Sequence, residues 1–369
     1  MGLQAGFETA YLRADSFVVI SMKFLTSLLL SAALFGVSQS LSAQDADAFA
    51  AEASKLGKAT QEAGKHSMRS GVDEDWFFLT AELLHVGTGQ FWTKDWADVS
   101  ENGQDPIPFM VQFQQLLADK NVELLVVPVP AKSTIYPDKL VSDAKPGTPH
   151  ETKPFFAKLK DAGLNVLDLE HIFAAERAAG KKMHCAHDAH FSPYACQVIA
   201  KNIIDQVRDK DWFKQQARPK KIQRFGELDL GIVGDLVPED LTSKVAETLK
   251  VQYCGVEGDG KVEPVEPDAA SPILLLGDSH TLVFQEGASR GMHARAAGLL
   301  DQLQAETGFA CDLVGAKGSG MKTARVNLYR KAAADPSYWT NKKLVIWCFS
   351  VREFTQSFDK LVEIPIERQ

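Results

Sequence analysis

Apolar runs and polar gaps alternate along this chain in the rhythm of strands followed by helices. Val122 to Val129 is a continuous apolar, β-branched run, which predicts a strand buried on both faces. Asn165 to Leu169, Pro272 to Leu276 and Leu344 to Phe349 predict three more strands. Helices are predicted over 154–162, over 193–207, over 281–290 and over 321–334. The second of these opens on Ser192-Pro193, an N-cap followed by a proline at the first helical position. Residues 45–70, rich in Ala, Glu and Lys, predict a helix or a loose lead-in. Residues 209–270 lose the rhythm, gain Gly, Pro and charge, and are expected to be an irregular insertion. Strands alternating with helices predict an α/β fold on a mainly parallel sheet covered on both faces. One domain is expected over 71–369, after a helical lead-in over 44–70 and an N-terminal segment over 1–43.

The N-terminal segment changes the picture of where the chain works. Met22-Lys23 precedes Phe24 to Val37, a mostly apolar run, and then Ser38-Gln39-Ser40-Leu41-Ser42-Ala43. That order matches a secretory signal peptide: basic start, apolar middle, small residues at the cut. Glu8 and Asp15 suit such a signal poorly, so Met22 is the expected start and residues 1–21 an upstream extension. Cleavage after Ala43 would put the bulky Leu41 at position −3, which leaves an uncleaved membrane anchor as the alternative. Both outcomes place the folded part in the periplasm or outside the cell. Export permits disulfides, and the five cysteines leave at least one thiol unpaired. Cys185 and Cys196 flank the most chemically loaded loop of the chain, so a bridge there is one expectation; five buried thiols is the other.

Bulk composition mainly excludes. The chain has 369 residues, 45% of them hydrophobic, enough for one large core or two modest ones. A net charge of −8 with dispersed Lys and Arg argues against nucleic acid as a partner.

The candidate chemistry is split between two segments. Leu274-Leu275-Leu276 runs into Gly277-Asp278-Ser279-His280, placing Ser279 at the carboxyl end of a strand, where α/β folds bind ligands. Gly277 would permit an unusual backbone angle in the turn. The helix predicted next would offer N–H groups and partial positive charge to an oxyanion. The hydrolase elbow Gly-x-Ser-x-Gly is absent. Asp188-Ala189-His190 stands just before the Ser192-Pro193 cap. There Asp188 can hold the imidazole's Nδ1–H and leave Nε2 free as base for Ser279. Nucleophile, base and orienting carboxylate are the parts that acyl transfer through serine requires. The bland reading makes each segment a capped turn or a surface loop. The sharper rival is metal, because His184, Cys185, His187, Asp188 and His190 are all potential ligands, though their spacing matches no zinc signature. No cofactor or metal is expected.

At these residues the chain resembles the SGNH-like periplasmic acetyltransferases of the alginate O-acetylation system. Gly71-Val72-Asp73-Glu74-Asp75-Trp76-Phe77-Phe78-Leu79 is similar to the family's opening motif, with Asp75 in place of a glycine. Val127-Pro128-Val129-Pro130-Ala131-Lys132 with Tyr136-Pro137 resembles its proline–lysine–tyrosine block. His187 to Pro193 resembles its Asp-x-His-Trp-Thr-Pro element, with Phe191 for the tryptophan. Gly234-Asp235-Leu236, Gly277-Asp278-Ser279 and Val345-Ile346-Trp347 leading to Arg352-Glu353 follow in the family's order. Secreted esterases with a Gly-Asp-Ser motif carry their histidine after the serine; here Asp-x-His precedes it.

The resemblance implies a three-layer α/β/α SGNH-hydrolase-like domain in which Ser279 is acylated, His190 is its base and Asp188 orients His190. It implies that backbone groups of Gly318, Ser319 and Gly320 complete an oxyanion hole. It also implies that Lys132, Tyr136 and Arg352 shape the site or contact substrate. Implied partners are a polysaccharide acceptor and a membrane-bound O-acyltransferase that supplies acetyl groups. The two departures, and a chain that ends soon after its last strand without an appended carbohydrate-binding domain, put tight capture of the same polymer in question. An exported acetylesterase with the same triad and an inactive polysaccharide-binding subunit are the competing expectations.

Overall fold

The computed structural model describes residues 43–144, 152–219, 221–258 and 261–368. Of the expected leader over 1–43, all but Ala43 lies outside the described residues. From Ala43 onward the chain forms one compact unit. It begins with helix α1 (Ala43–Glu62), the short antiparallel strands β1 (Ser67–Arg69) and β2 (Phe77–Leu79), and helix α2 (Thr80–Gly87). Helix α3 (Ile107–Ala118) leads into β3 (Glu123–Val129). Helices α4 (Lys153–Asp161), α5 (Leu169–Ala178) and α6 (Pro193–Asp205) follow, then β4 (Gln223–Ile232), β5 (Glu247–Gly258) and β6 (Lys261–Glu263). The last part holds β7 (Ile273–Gly277), the ribbon β8 (Glu286–Gly287) with β9 (Met292–Arg295), and helix α7 (Leu299–Thr307). It ends with β10 (Asp312–Gly315), helix α8 (Thr323–Ala334) and β11 (Leu344–Ser350).

Four strands form the parallel sheet, in the order β10-β7-β11-β3. Every residue of β7 and β11 is buried, as are all of β3 after Glu123. That burial is why these strands are written as unbroken apolar runs rather than alternating ones. Helices α3 and α5 pack on β3, and α8 packs on β7 and β10. Because all four strands run the same way, the loops after β3, β7, β10 and β11 emerge at one edge. The chemistry gathers at that edge.

Three predicted elements differ. Asn165–Leu169 is not a strand: Val166 makes one parallel bridge to Val126, and then Asp168 caps α5 by accepting from the Glu170 N–H at 3.1 Å. The helix predicted over 281–290 is absent. Ser279–Thr281 is a single 3-10 turn, and Phe284 (φ 60°), Gly287 (φ 93°) and Gly291 (φ 71°) are left-handed, which no right-handed helix accommodates. The insertion is not irregular either, because β4, β5 and β6 make an antiparallel sheet. Its outer strand β4 stays largely solvent-facing, and its apolar alternation is confined to Leu228, Leu230 and Ile232, of which only Ile232 is buried. In β5, by contrast, buried Leu249 and Val251 alternate with exposed Thr248 and Lys250, a legible strand pattern.

Candidate active site

Ser279 follows β7 directly, at the mouth of the sheet. Gly277 lets the chain pass there, but not through an unusual backbone angle. A Cβ on Gly277 would lie 1.7 Å from the Cys348 carbonyl oxygen, so the neighbouring strand itself demands glycine. Asp278 caps the turn: its Oδ1 accepts the His280 N–H at 2.9 Å and its Oδ2 accepts the Ser350 N–H at 2.8 Å. The carboxylate thus ties the ends of β7 and β11 together. Burial opposes its ionisation, but the His280 imidazole, with Nδ1 2.9 Å from Oδ1, and then the Ser350 N–H and Arg352 hold its pKa below the usual range.

The Asp188–His190 loop is held from three directions. Lys132 is fully buried, and its Nζ donates to the carbonyls of Phe77 (2.8 Å), Ala186 (3.3 Å) and Asp188 (2.6 Å). Glu247 on β5 accepts the backbone N–H groups of Ala186 and His187, each at 2.9 Å. The turn after β4 presses against the loop so closely that a Cβ on Gly234 would lie 2.0 Å from the His187 carbonyl oxygen. The Ser192 hydroxyl then caps α6 on the Ala195 N–H at 3.1 Å. No disulfide takes part, since Cys185, Cys196, Cys254, Cys311 and Cys348 are all free and buried.

These two loops meet. His190 Nε2 lies 2.7 Å from Ser279 Oγ, across 89 positions of sequence. His190 Nδ1 donates to Asp188 Oδ1 at 2.5 Å, and the His190 backbone N–H donates to the same oxygen at 3.0 Å. Asp188 Oδ2 accepts the Asp235 N–H at 3.0 Å and His293 Nε2 at 2.7 Å. Burial opposes ionisation of Asp188, yet the two imidazoles outweigh it and hold its pKa well below the ordinary value. Burial likewise opposes the charged form of His190, but Asp188 wins and raises its pKa to about 9. Ser279 itself is half-buried and borders a cavity of about 240 Å³, whose walls include His66, Glu82, His280, Gly318 and Arg352.

A family match settles kinship. Residues 70–351 match the family described as SGNH hydrolase-like domain, acetyltransferase AlgX. The chain belongs to this family. A 117-residue stretch is 28% identical to the probable alginate O-acetylase AlgJ of Azotobacter vinelandii, covering 31% of this chain and 30% of that protein. The like-named protein of Pseudomonas fluorescens is 23% identical over 178 residues, 46% of this chain and 44% of the relative. The chain therefore spans less than half the length of the curated relatives it matches. Among solved structures, the O-acetyltransferase domain of Pseudomonas putida AlgJ superposes with a TM-score of 0.55 at 17% identity, covering 79% of this chain and 94% of that one. AlgX of Pseudomonas aeruginosa gives 0.50 at 17% identity, covering 77% and 62%. These likenesses show the fold: an α/β, SGNH-hydrolase-like domain with a mainly parallel sheet.

Within this SGNH-like domain the other expected site residues divide. Arg352 and Gly318 border the cavity, and the Arg352 guanidinium has no hydrogen bond or ion pair among the described residues. Gly320 donates its N–H to Glu353 at 2.7 Å, so that group is spent. The Ser319 hydroxyl accepts the Thr323 N–H at 3.2 Å. Lys132 and Tyr136 stand behind the site: Lys132 has spent its protons on carbonyls, and the Tyr136 hydroxyl accepts the Met183 N–H at 2.8 Å. The five residues weighed as metal ligands do not converge. His184 Nε2 donates to the Pro130 carbonyl at 3.1 Å, and of the five only Asp188 and His190 approach one another, with Asp235. His293, Glu247, Glu82 and His280 were not singled out from sequence. His280 alone carried a signal there, since Asp278-x-His280 repeats the spacing of Asp188-x-His190.

Proposed function

We propose that this chain is an exported O-acetyltransferase that moves acetyl groups onto polysaccharide hydroxyls through an acyl-serine intermediate. The observation that carries the reading is the line Asp188, His190, Ser279 at hydrogen-bond distances beside a cavity. Ser279 Oγ attacks the carbonyl carbon of a donor ester while its proton passes to His190 Nε2. The tetrahedral intermediate collapses, the donor oxygen leaves with that proton as a free hydroxyl, and acetyl-Ser279 remains. A sugar hydroxyl then gives its proton to His190 and attacks the acetyl carbon, and Ser279 Oγ recovers the proton as it departs. Asp188, ionised and buried, stabilises the imidazolium present between these transfers.

Kinship to proteins named for alginate O-acetylation favours a polysaccharide acceptor, and residues 1–43 as a leader favour a periplasmic or secreted site of action. A membrane-bound O-acyltransferase is the proposed acetyl source. Among the described residues no helix is long and apolar enough to cross a membrane. One experiment tests the reading: incubate the full chain with an aryl acetate and oligosaccharides, and follow both products. Acetylated sugar that disappears with Ser279→Ala supports transfer. Free acetate alone makes the protein an acetylesterase, and sugar binding without Ser279-dependent turnover makes it a binding subunit.

A further inference from the structure

Asp188 is the only carboxylate among the described residues that two imidazoles are shown to grip, and the second of them has no place in the three-residue scheme above. His293 lies on β9, in the short ribbon that replaces the predicted helix after Ser279. Its backbone φ is 61°, in the left-handed region that a residue with a Cβ rarely enters. Phe284, whose ring sits 5.7 Å from the His293 ring, is also left-handed, at φ 60°. The segment before β8 is joined to β9 here by the Phe284 N–H on the Met292 carbonyl at 2.9 Å. A conformation this unfavourable persists where the surroundings over-determine it, and such places cluster at functional sites. Here it delivers the His293 ring, half-buried, to the far oxygen of Asp188 at 2.7 Å. Asp188 is ionised, so His293 Nε2 carries the proton and donates.

We propose that His293 is a positioning residue for the acyl-transfer site, fixing the Asp188 carboxylate so that its other oxygen aims His190 at Ser279. The inference rests on the reading of Ser279 as nucleophile and His190 as base. A carboxylate can rotate about its Cβ–Cγ bond; a donor on each oxygen removes that freedom. The Asp235 N–H, at 3.0 Å, holds the same oxygen from one side only. A bond from His293 also withdraws charge from Asp188, which moderates the proton affinity of His190. The groups facing this pair are Lys132, Asp235 and Asp278, with the His280 ring 4.9 Å from that of His190.

The test uses the full chain and an aryl acetate, scoring only the turnover that Ser279→Ala abolishes. His293→Ala is expected to lower kcat by about tenfold to a hundredfold, taking as the guide the loss seen when the outer hydrogen-bond partner of a metal-bound ligand is removed. KM should stay nearly constant, and the acid limb of the pH profile should move to higher pH. His293→Gln, whose amide can still donate to Asp188, should restore most of the rate. His293→Gly relaxes the left-handed backbone but has no donor, so it should be as slow as His293→Ala. Rates for His293→Gly equal to the parent or to His293→Gln would overturn the proposal, since only backbone shape would then matter. All three variants within twofold of the parent would overturn it too. A Ser279→Ala protein that still turns over the ester would instead sink the acyl-serine reading itself, which keeps the two failures apart.

Discussion

The carboxylate of Glu247 accepts the backbone N–H of His187 at 2.9 Å, joining the inserted antiparallel sheet to the loop that carries Asp188 and His190. The insertion is therefore part of the site's scaffold. Its second oxygen contact, to the Ala186 N–H at 2.9 Å, completes a two-pronged grip on the loop. Glu247→Ala leaves two buried donors unpaired, which costs about 1–3 kcal/mol each. The expected outcome is a lower melting temperature together with a reduced kcat, read from thermal melts and ester turnover. Unchanged values for both would show that the insertion is dispensable to the loop.

Ser279→Ala should abolish acetyl transfer while leaving the melting temperature nearly unchanged, because alanine fits where serine stood but cannot attack. Groups that act as one unit lose activity non-additively, so His190→Ala should be almost as damaging and the double variant little worse. What remains is expected to be the contribution of binding and oxyanion contacts, about 10³–10⁴ over water. Single-turnover kinetics with an aryl acetate make the comparison.

The pH dependence has a definite sign. His190 must be neutral to accept the serine proton, and Asp188, against the opposing effect of burial, raises its pKa to about 9. Turnover by the free protein should therefore climb from pH 6 towards pH 9. Stability should move the other way. A histidine with a raised folded pKa stabilises fully below its ordinary value of about 6.5, and that contribution is lost as pH rises through about 9. Melting temperature against pH, in the parent and in His190→Ala, isolates the effect; a rate that is flat from pH 6 to 9 would remove His190 from the role of base.

Gly277→Ala should damage the fold rather than the chemistry. Its Cβ would sit 1.7 Å from the Cys348 carbonyl oxygen, and backbone on both sides cannot yield without parting β7 from β11. Overpacking of this kind costs about 1–3 kcal/mol or more. Early melting with activity lost in proportion is expected; an alanine variant of parental stability would contradict the close approach.

Prolonged chelation should leave turnover intact. His184 Nε2 and Cys185 Sγ are turned to the carbonyls of Pro130 and Phe191, and Asp188 has both oxygens occupied by hydrogen bonds. Stoichiometric zinc by elemental analysis, with activity lost on its removal, would return the metal reading to the front.

The two halves of the site were legible to different degrees. Ser279 followed from Leu274-Leu275-Leu276 ending in Gly277-Asp278, because a buried parallel strand advertises itself as an unbroken apolar run. His190 followed from a local pattern, Asp-x-His before a Ser-Pro cap. His293 was hidden, since Gly291-Met292-His293-Ala294 has no pattern that announces a left-handed histidine. Lys132 was visible as a residue but not in its role, because nothing local foretells three carbonyls converging on its ammonium group. The helix expected over 281–290 failed for a related reason: the turn there obeys contacts from Met292 and Ala297 rather than its own propensities.

By itself the sequence determined the α/β alternation, the strands β3, β7 and β11, the cap of α6 and the two chemical segments. These are short-range consequences of burial period, capping and turn chemistry. Tertiary structure alone decided that residues 89 positions apart stand 2.7 Å from one another, that a remote histidine reaches the far side of Asp188, and that five cysteines stay reduced in the core. Those facts depend on which strand lies beside which, and the order β10-β7-β11-β3 is set by packing the whole chain at once. Local residue patterns carry no record of that order.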